Sequence, residues 1–235
     1  MKQSSKQRVI YILWSGGLDS TFLIQHLLDQ DPKAKVIAGY VEILNNDVKT
    51  PMELRAVKRL AQILKSKYQD RFEWRKTVYK CEVAWCTDYA LLYQPPIWIH
   101  AAMVTCPGNA TEVAIGYVMG DCAISYLSEI RAIFKAYSGL CQTPFPKLTF
   151  PLMKWDKTEI VDRMDPLLKP HIVWCERPEG KNFKPCGTCP PCKRSPIRTD
   201  FVQDYYVTPL LEDLEKAVTK NDNNKEEVDK AECLV

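Results

Sequence analysis

The sequence predicts an α/β protein built on a doubly wound, mostly parallel sheet, with a small cysteine-rich appendage near its C-terminal end. Three observations predict it. Short apolar runs rich in β-branched and aromatic residues, at 8–13 (RVIYIL), 36–43 (VIAGYVEI) and 111–118 (TEVAIGYV), read as buried strands. Segments with helical spacing stand between them, and strands alternating with helices argue for βαβ units covered on both faces. Four cysteines then gather late in the chain, at Cys175, Cys186, Cys189 and Cys192.

The elements follow in order. The strand at 8–13 ends at Gly16-Gly17, and 21–28 (TFLIQHLL) reads as a helix. After the strand at 36–43, Thr50-Pro51-Met52-Glu53 carries a capping-box pattern with Pro at the first helical position. Leu54, Val57, Ala61 and Leu64 recur at helical spacing, which predicts a helix over 51–67. A third strand is expected at 74–78, a helix at 96–104 and a fourth strand at 111–118. Residues 156–164 read as a short helix, 170–196 as a cysteine-rich loop, 210–218 as an amphipathic helix and 220–235 as a solvated, disordered tail. The expected division is an α/β domain over 1–168, a four-cysteine region over 169–207, and a C-terminal helix and tail over 208–235.

Composition narrows the function classes. With 46% apolar and 26% charged residues in 235, the chain is an ordinary globular protein. No apolar run approaches the roughly 20 residues that span a bilayer, and the N-terminal apolar stretch is too short for a signal peptide. A cytoplasmic protein without a membrane segment is expected. The net charge of +3 does not by itself imply a nucleic-acid surface. Ten cysteines is a high count for a cytosolic chain, where disulfides are disfavoured, so a compact cysteine group asks first for a metal or catalytic reading. The scattered Cys81, Cys86, Cys106, Cys122, Cys141 and Cys233 read as small hydrophobes or incidental thiols.

Ser15-Gly16-Gly17-Leu18-Asp19-Ser20, between a strand and a helix, is the sharpest local signal. Two glycines let the backbone turn tightly and approach a ligand, and a β-branched residue at Gly17 would obstruct the nest and resist a positive φ. Ser15, Ser20 and Thr21 add hydroxyls, and the helix N-terminus adds free N–H groups. Together they suit a phosphate or pyrophosphate; a plain helix-start turn is the alternative. The loop lacks the Gly-Lys-Ser/Thr ending of a Walker loop and the spacing of a dinucleotide fingerprint.

Cys186-Gly-Thr-Cys189-Pro-Pro-Cys192, with Cys175 upstream, places three cysteines on a glycine- and proline-shaped knuckle and a fourth within reach. Four thiolates suit a structural zinc ion; an iron–sulfur cluster and a redox dithiol are the alternatives. Lys181, Lys184, Lys193, Arg194 and Arg198 around it either meet an anionic substrate or offset thiolate charge.

The string Ser-Gly-Gly-Leu-Asp-Ser resembles the pyrophosphate (PP) loop of the ATP pyrophosphatase superfamily, an adenine nucleotide alpha hydrolase-like, Rossmann-like fold. Members cleave ATP between its α and β phosphates and adenylate a substrate. Phe150-Pro151-Leu152-Met153-Lys154-Trp155-Asp156-Lys157-Thr158-Glu159-Ile160 resembles the superfamily segment whose lysine reaches the phosphates. With the cysteine knuckle following in order, the chain from 8 to 197 resembles the 7-cyano-7-deazaguanine (preQ0) synthases of queuosine biosynthesis. Those ligases convert 7-carboxy-7-deazaguanine and ammonia to the nitrile with ATP, and carry a structural zinc. The resemblance implies ATP, Zn2+ and Mg2+ as cofactors. It places ATP on Ser15, Gly16, Gly17, Leu18, Asp19, Ser20, Thr21, Tyr40, Val41, Gly116 and Lys157, and zinc on Cys175, Cys186, Cys189 and Cys192. Asp19, Lys157 and Asp121 become the catalytic set, and Asp121, Tyr126, Glu129 and Arg131 the acceptor side.

Two stretches depart from the family pattern. Tyr93-Gln94-Pro95-Pro96-Ile97-Trp98 lacks the family's Arg and Asn, and the loop 120–131 keeps only a loose version of its acidic motif. Both lie on the acceptor side, so the adenylation expectation is firmer than the product. An amide product, transfer to another amine including one on a protein, and a tRNA-modifying PP-loop ATPase are the alternatives. A homodimer and a protein or nucleic-acid acceptor are left open.

Overall fold

The computed structural model describes residues 7–44, 49–82, 94–180 and 182–194. Five strands, β1 (Val9–Leu13), β2 (Lys35–Leu44), β3 (Phe72–Glu82), β4 (Glu112–Ala114) and β5 (Lys147–Thr149), form one sheet in the order β3-β2-β1-β4-β5, every pair parallel. The α/β class and parallel sheet are as expected. The expected helix at 210–218 and the tail at 220–235 lie outside the described residues.

Alternation along β1 builds both layers. Ile10 and Ile12 enter the larger core, where α1 (Leu18–Gln30) and α2 (Lys49–Tyr68) pack; Val9 and Tyr11 enter the second core, against α3 (Gln94–Thr105) and α4 (Leu127–Ser138). A parallel sheet buried on both faces needs this near-continuous apolar content, and β1 supplies it. A short helix, α5 (Lys157–Arg163), returns to the first layer and packs on α1. The chain runs outward from β1 to β2 and β3, then crosses to β4 on the other side of β1. That reversal opens a crevice at the carboxyl ends of β1 and β4, the usual ligand position in open α/β sheets.

A buried carboxylate ties the β4–β5 half to β1. Glu112, only 1% exposed, accepts from the Arg8 guanidinium at 2.9 Å and from Thr149 Oγ1 at 2.6 Å, with Lys147 Nζ at 3.5 Å.

Four local expectations need correction. The fourth strand is three residues long, because the backbone leaves the sheet before Gly116, which packs on the start of α1. The segment 120–131 is a loop only at its start: a 3-10 turn at Cys122–Tyr126 runs into α4, whose Ile130 and Phe134 are buried. Strand β5 was not anticipated; three residues are too few to show a period. Thr50 lies inside α2 rather than capping it, its hydroxyl donating to Ile43 O at 3.4 Å. The capping box instead closes α5, with Asp156 accepting from the Glu159 N–H at 2.8 Å and Glu159 from the Asp156 N–H at 3.1 Å.

Candidate functional site

The turn after β1 stands at the mouth of the crevice. Gly16 has φ +74°, the left-handed backbone that favours glycine, and a Cβ there would lie 3.1 Å from Val57 Cγ2. Gly17 caps α1 with φ −75° and ψ 168°, ordinary extended backbone. The expected positive φ therefore falls on Gly16, not Gly17. The first intrahelical bond is Thr21 N–H to Gly17 O at 3.1 Å, so the N–H groups of Leu18, Asp19 and Ser20 precede the ladder and are available to an anion. Ser15 Oγ and Ser20 Oγ stand 3.4 Å apart beside them. Gly116 closes the back of the turn: a Cβ there would sit 3.2 Å from Asp19 O.

Lys157, remote in sequence, completes the cluster. As the first residue of α5, fixed by the Asp156 cap, it places Nζ 3.2 Å from Asp19 Oδ2 and 3.4 Å from Asp121 Oδ1. Asp121 is itself held by the Val118 N–H at 3.1 Å. Burial pushes the Asp19 carboxyl up to about 6, against the Lys157 ammonium, which favours its charged form; Asp121 adds repulsion. Burial opposes the charge on Lys157, yet the two carboxylates raise its affinity for the proton. Asp19 Oδ1 is buried with no hydrogen-bond partner among the described residues. A dehydrated acceptor oxygen with a second carboxylate nearby suits a hard divalent cation.

Two clefts of about 420 Å³ each share this turn, with Ser15, Gly17, Leu18, Asp19, Lys49, Glu53 and Asp121 on the walls of both. The first is walled by Leu13, Val41, Ile43, Trp98, Ile115 and Tyr117, apolar and aromatic surface suited to a flat heterocycle. Ser20 and Gly116 line it as well. The second runs past Lys157 and Met119 to Val173, Trp174 and Cys175.

The other expected residues divide. Thr21 is fully buried and its hydroxyl accepts the Trp14 indole N–H at 2.9 Å, so it braces the helix from inside and lines neither cleft. Tyr40 is likewise buried; its hydroxyl donates to Glu53 Oε2 at 3.0 Å. Tyr126, Glu129 and Arg131 line neither cleft. Tyr126 is 50% exposed, Glu129 accepts from the neighbouring Ser128 hydroxyl at 2.6 Å, and Arg131 lies over the Phe150 ring at 5.4 Å. Of the four acceptor-side residues, only Asp121 reaches the clefts.

The four cysteines converge. The Sγ atoms of Cys175, Cys186, Cys189 and Cys192 all lie within 4.8 Å of one another. Gly187, at φ +69°, makes the knuckle turn, and its neighbours point N–H groups at sulfur: Cys186 N–H to Cys175 Sγ and Cys189 N–H to Cys186 Sγ, both 3.3 Å. The Thr188 hydroxyl and the Cys189 N–H draw Cys186 down to about 6, while burial pushes the Cys175 thiol up. A tetrahedral ion at about 2.3 Å from each sulfur sets the sulfurs about 3.8 Å apart, a small contraction of this cage. A cubane cluster binds each cysteine through a different iron and spreads the sulfurs to roughly 6 Å, so the cage fits one ion better. The group is not detached from the protein. Cys175 and Cys189 belong to the larger core, and the Val173 N–H donates to Gly16 O at 3.2 Å, tying the cysteine segment to the turn.

No family model matches the chain, and no curated protein does. Among solved structures it is similar to the U34-tRNA thiolase NcsA from Methanococcus maripaludis with its 4Fe-4S cluster, at a TM-score of 0.41 and 18% identity. The match covers 71% of this chain and 58% of the thiolase chain, so this protein spans less than two thirds of that neighbour's length. Among the described residues no helix is long and apolar enough to cross a membrane.

Several cleft residues were not visible as such in the sequence. Glu53 reads there only as a capping-box acid, and Trp98 only as part of a departure from a pattern. Lys49, Trp174 and Glu176 carry no motif. Helical spacing does put Lys49 and Glu53 one turn apart, 3.8 Å between Nζ and Oε1, but nothing local says that this edge faces a crevice.

Proposed function

We propose that this protein is an adenylating enzyme of the ATP pyrophosphatase (PP-loop) type, and that it joins nitrogen to the carboxylate of 7-carboxy-7-deazaguanine to give 7-cyano-7-deazaguanine. The observation that carries the reading is the meeting of Lys157 with Asp19, 138 residues apart, at the helix N-terminus that closes the switch-point crevice. A cation over free backbone N–H groups is what a leaving pyrophosphate requires, since negative charge grows on it as the α–β bond breaks.

The chemistry follows from electrophilicity. A free carboxylate resists attack by ammonia. Its oxygen attacks the α-phosphate of ATP, pyrophosphate leaves, and the resulting mixed anhydride has AMP as a good leaving group. Ammonia then displaces AMP to form the amide, and a second activation removes the amide oxygen to leave the nitrile. The N–H groups of Leu18, Asp19 and Ser20 and the Ser15 and Ser20 hydroxyls would hold the phosphates, and Lys157 would neutralise the departing pyrophosphate. The apolar wall of the first cleft, with Val41, Trp98 and Tyr117, suits a planar base. Asp19 and Asp121 would hold Mg2+, which supplies further charge neutralisation at the phosphates. Zinc is the ion proposed for the four cysteines: sulfur donors, a four-protein-ligand shell and a half-buried setting support a structural role.

Incubation with ATP and 7-carboxy-7-deazaguanine, with and without ammonia, tests this by mass analysis of the products. AMP with the nitrile is the expected result. AMP with the amide would shorten the reaction, AMP formed only with a tRNA present would move the acceptor to nucleic acid, and ADP would refute adenylation.

A further inference from the structure

Glu53 is a third carboxylate, with Asp19 and Asp121, on cleft walls whose backbone N–H groups suit anions. It stands on α2, 16% exposed, on the walls of both clefts beside Ser15 and Gly17. ATP phosphates and a substrate carboxylate are both repelled by it, so its visitor is a cation. Its oxygens are partly engaged: Oε2 accepts from the Tyr40 hydroxyl at 3.0 Å, and Lys49 Nζ stands 3.8 Å from Oε1. Tyr40 faces it from β2, Lys49 from its own helix, and Glu176 from the segment after Cys175. Burial pushes its carboxyl above the ordinary range, against the Lys49 ammonium, and Glu176 adds repulsion. A divalent cation needs several oxygens, and the Asp19–Asp121 pair, with the unpartnered Asp19 Oδ1, suits it better than this lone carboxylate. A monovalent ion that donates hydrogen bonds needs only one.

We propose that Glu53 receives the nitrogen nucleophile, binding an ammonium ion at the junction of the two clefts and taking its proton. The proposal rests on the adenylating reading. Ammonium transfers one proton to the carboxylate, giving ammonia and a carboxylic acid. The ammonia lone pair forms the C–N bond at the acyl carbon, and the acyl–oxygen bond to phosphate breaks with its electron pair leaving on AMP. The extra proton on the new C–N nitrogen passes to water, as does the one on Glu53, which restores the carboxylate.

The test uses the full-length protein and Glu53→Gln, with Glu53→Asp as a milder variant whose fold is checked by thermal unfolding. Carboxylate-dependent exchange of pyrophosphate into ATP reports adenylation alone. Product formation is then compared for ammonia, protonated at neutral pH, and hydroxylamine, which is not. Glu53→Gln should keep the exchange and the hydroxylamine reaction. It should lower the ammonia reaction at pH 7 by about 100-fold or more, the usual cost of losing a proton acceptor, with recovery as pH rises and free ammonia increases. Glu53→Asp should lose part of the ammonia rate. Equal losses with both nucleophiles, loss of exchange, or an unchanged ammonia rate would each overturn the proposal. Absence of exchange in the unaltered protein is seen before any variant is made, and would overturn the adenylating reading itself.

Discussion

Replacing Gly16 and Gly17 separately by alanine distinguishes the glycine that shapes the turn from the one that faces the ligand. At Gly16, φ +74° costs an L-residue about 1–2 kcal/mol. The new Cβ would stand 3.1 Å from Val57 Cγ2, and Val57 is fully buried and cannot swing aside. Overpacking of that kind adds about 1–3 kcal/mol, for a total near 2–5 kcal/mol. In a protein of this length each kcal/mol moves the melting point by about 2–4 °C, so Gly16→Ala should melt roughly 4–20 °C lower. Gly17 has backbone angles any residue adopts, and its Cβ would meet Ser15 Oγ at 3.2 Å, which can rotate, and Val173 O at 3.6 Å, an ordinary contact. Gly17→Ala should change stability by about 1 kcal/mol or less, and can gain by stiffening the unfolded chain. Its methyl group, and still more the side chain of Gly17→Val, would cover the N–H groups and weaken ATP binding in a folded protein. Thermal unfolding without nucleotide and calorimetric titration with ATP separate the two effects. A Gly17→Ala protein that melts lower than Gly16→Ala, or a folded Gly17→Val protein with normal ATP affinity, would refute this account of the turn.

Other consequences concern the charges and the cysteines. The folded protein holds the Asp19 proton up to about pH 6, whereas an unfolded chain releases it near 3.8, so stability falls as pH rises through that window and levels off above it. The group is a quarter exposed, and its share is about 3 kcal/mol at most. Asp19→Asn should flatten denaturation free energy between pH 4 and 6, and an unchanged slope would remove Asp19 as its source. Lys157→Ala should cut AMP formation by about 100-fold or more while acceptor binding, titrated separately, stays near normal; a loss confined to acceptor affinity would place Lys157 on the other side of the site. Cys189→Ser should abolish the binding of about one zinc ion per chain. It should also weaken ATP binding, because Val173, two residues from Cys175, holds the Gly16 carbonyl. Intact metal content in that variant would contradict the cage.

The elements legible in sequence were those with a long period or strong punctuation. β1, β2 and α2 announce themselves because each buries a continuous or regularly spaced apolar set. β5 hides because three residues carry no period, and α4 because its first turn, with Ser128, Glu129 and Arg131, reads as a polar loop until Ile130 and Phe134 are seen to be buried. Glu129 and Arg131 show the same limit at the site. Their chemistry suits an acceptor pocket, but helical geometry turns them outward.

By itself the sequence determined the fold class, the glycine turn before the first helix and the four-cysteine group, since each depends on residue type within a short stretch: apolar runs, paired glycines before a helix, thiols two residues apart. Only the tertiary structure decided which glycine carries the left-handed backbone, and that Thr21 supports the core rather than the ligand. It alone brought Lys157 and Asp121 to Asp19 and set Glu53 between two clefts. Those facts depend on how α2, α5 and the segment after β4 dock on the sheet. Docking is fixed by burial of apolar surface far from the polar groups it happens to align, so no local pattern records it.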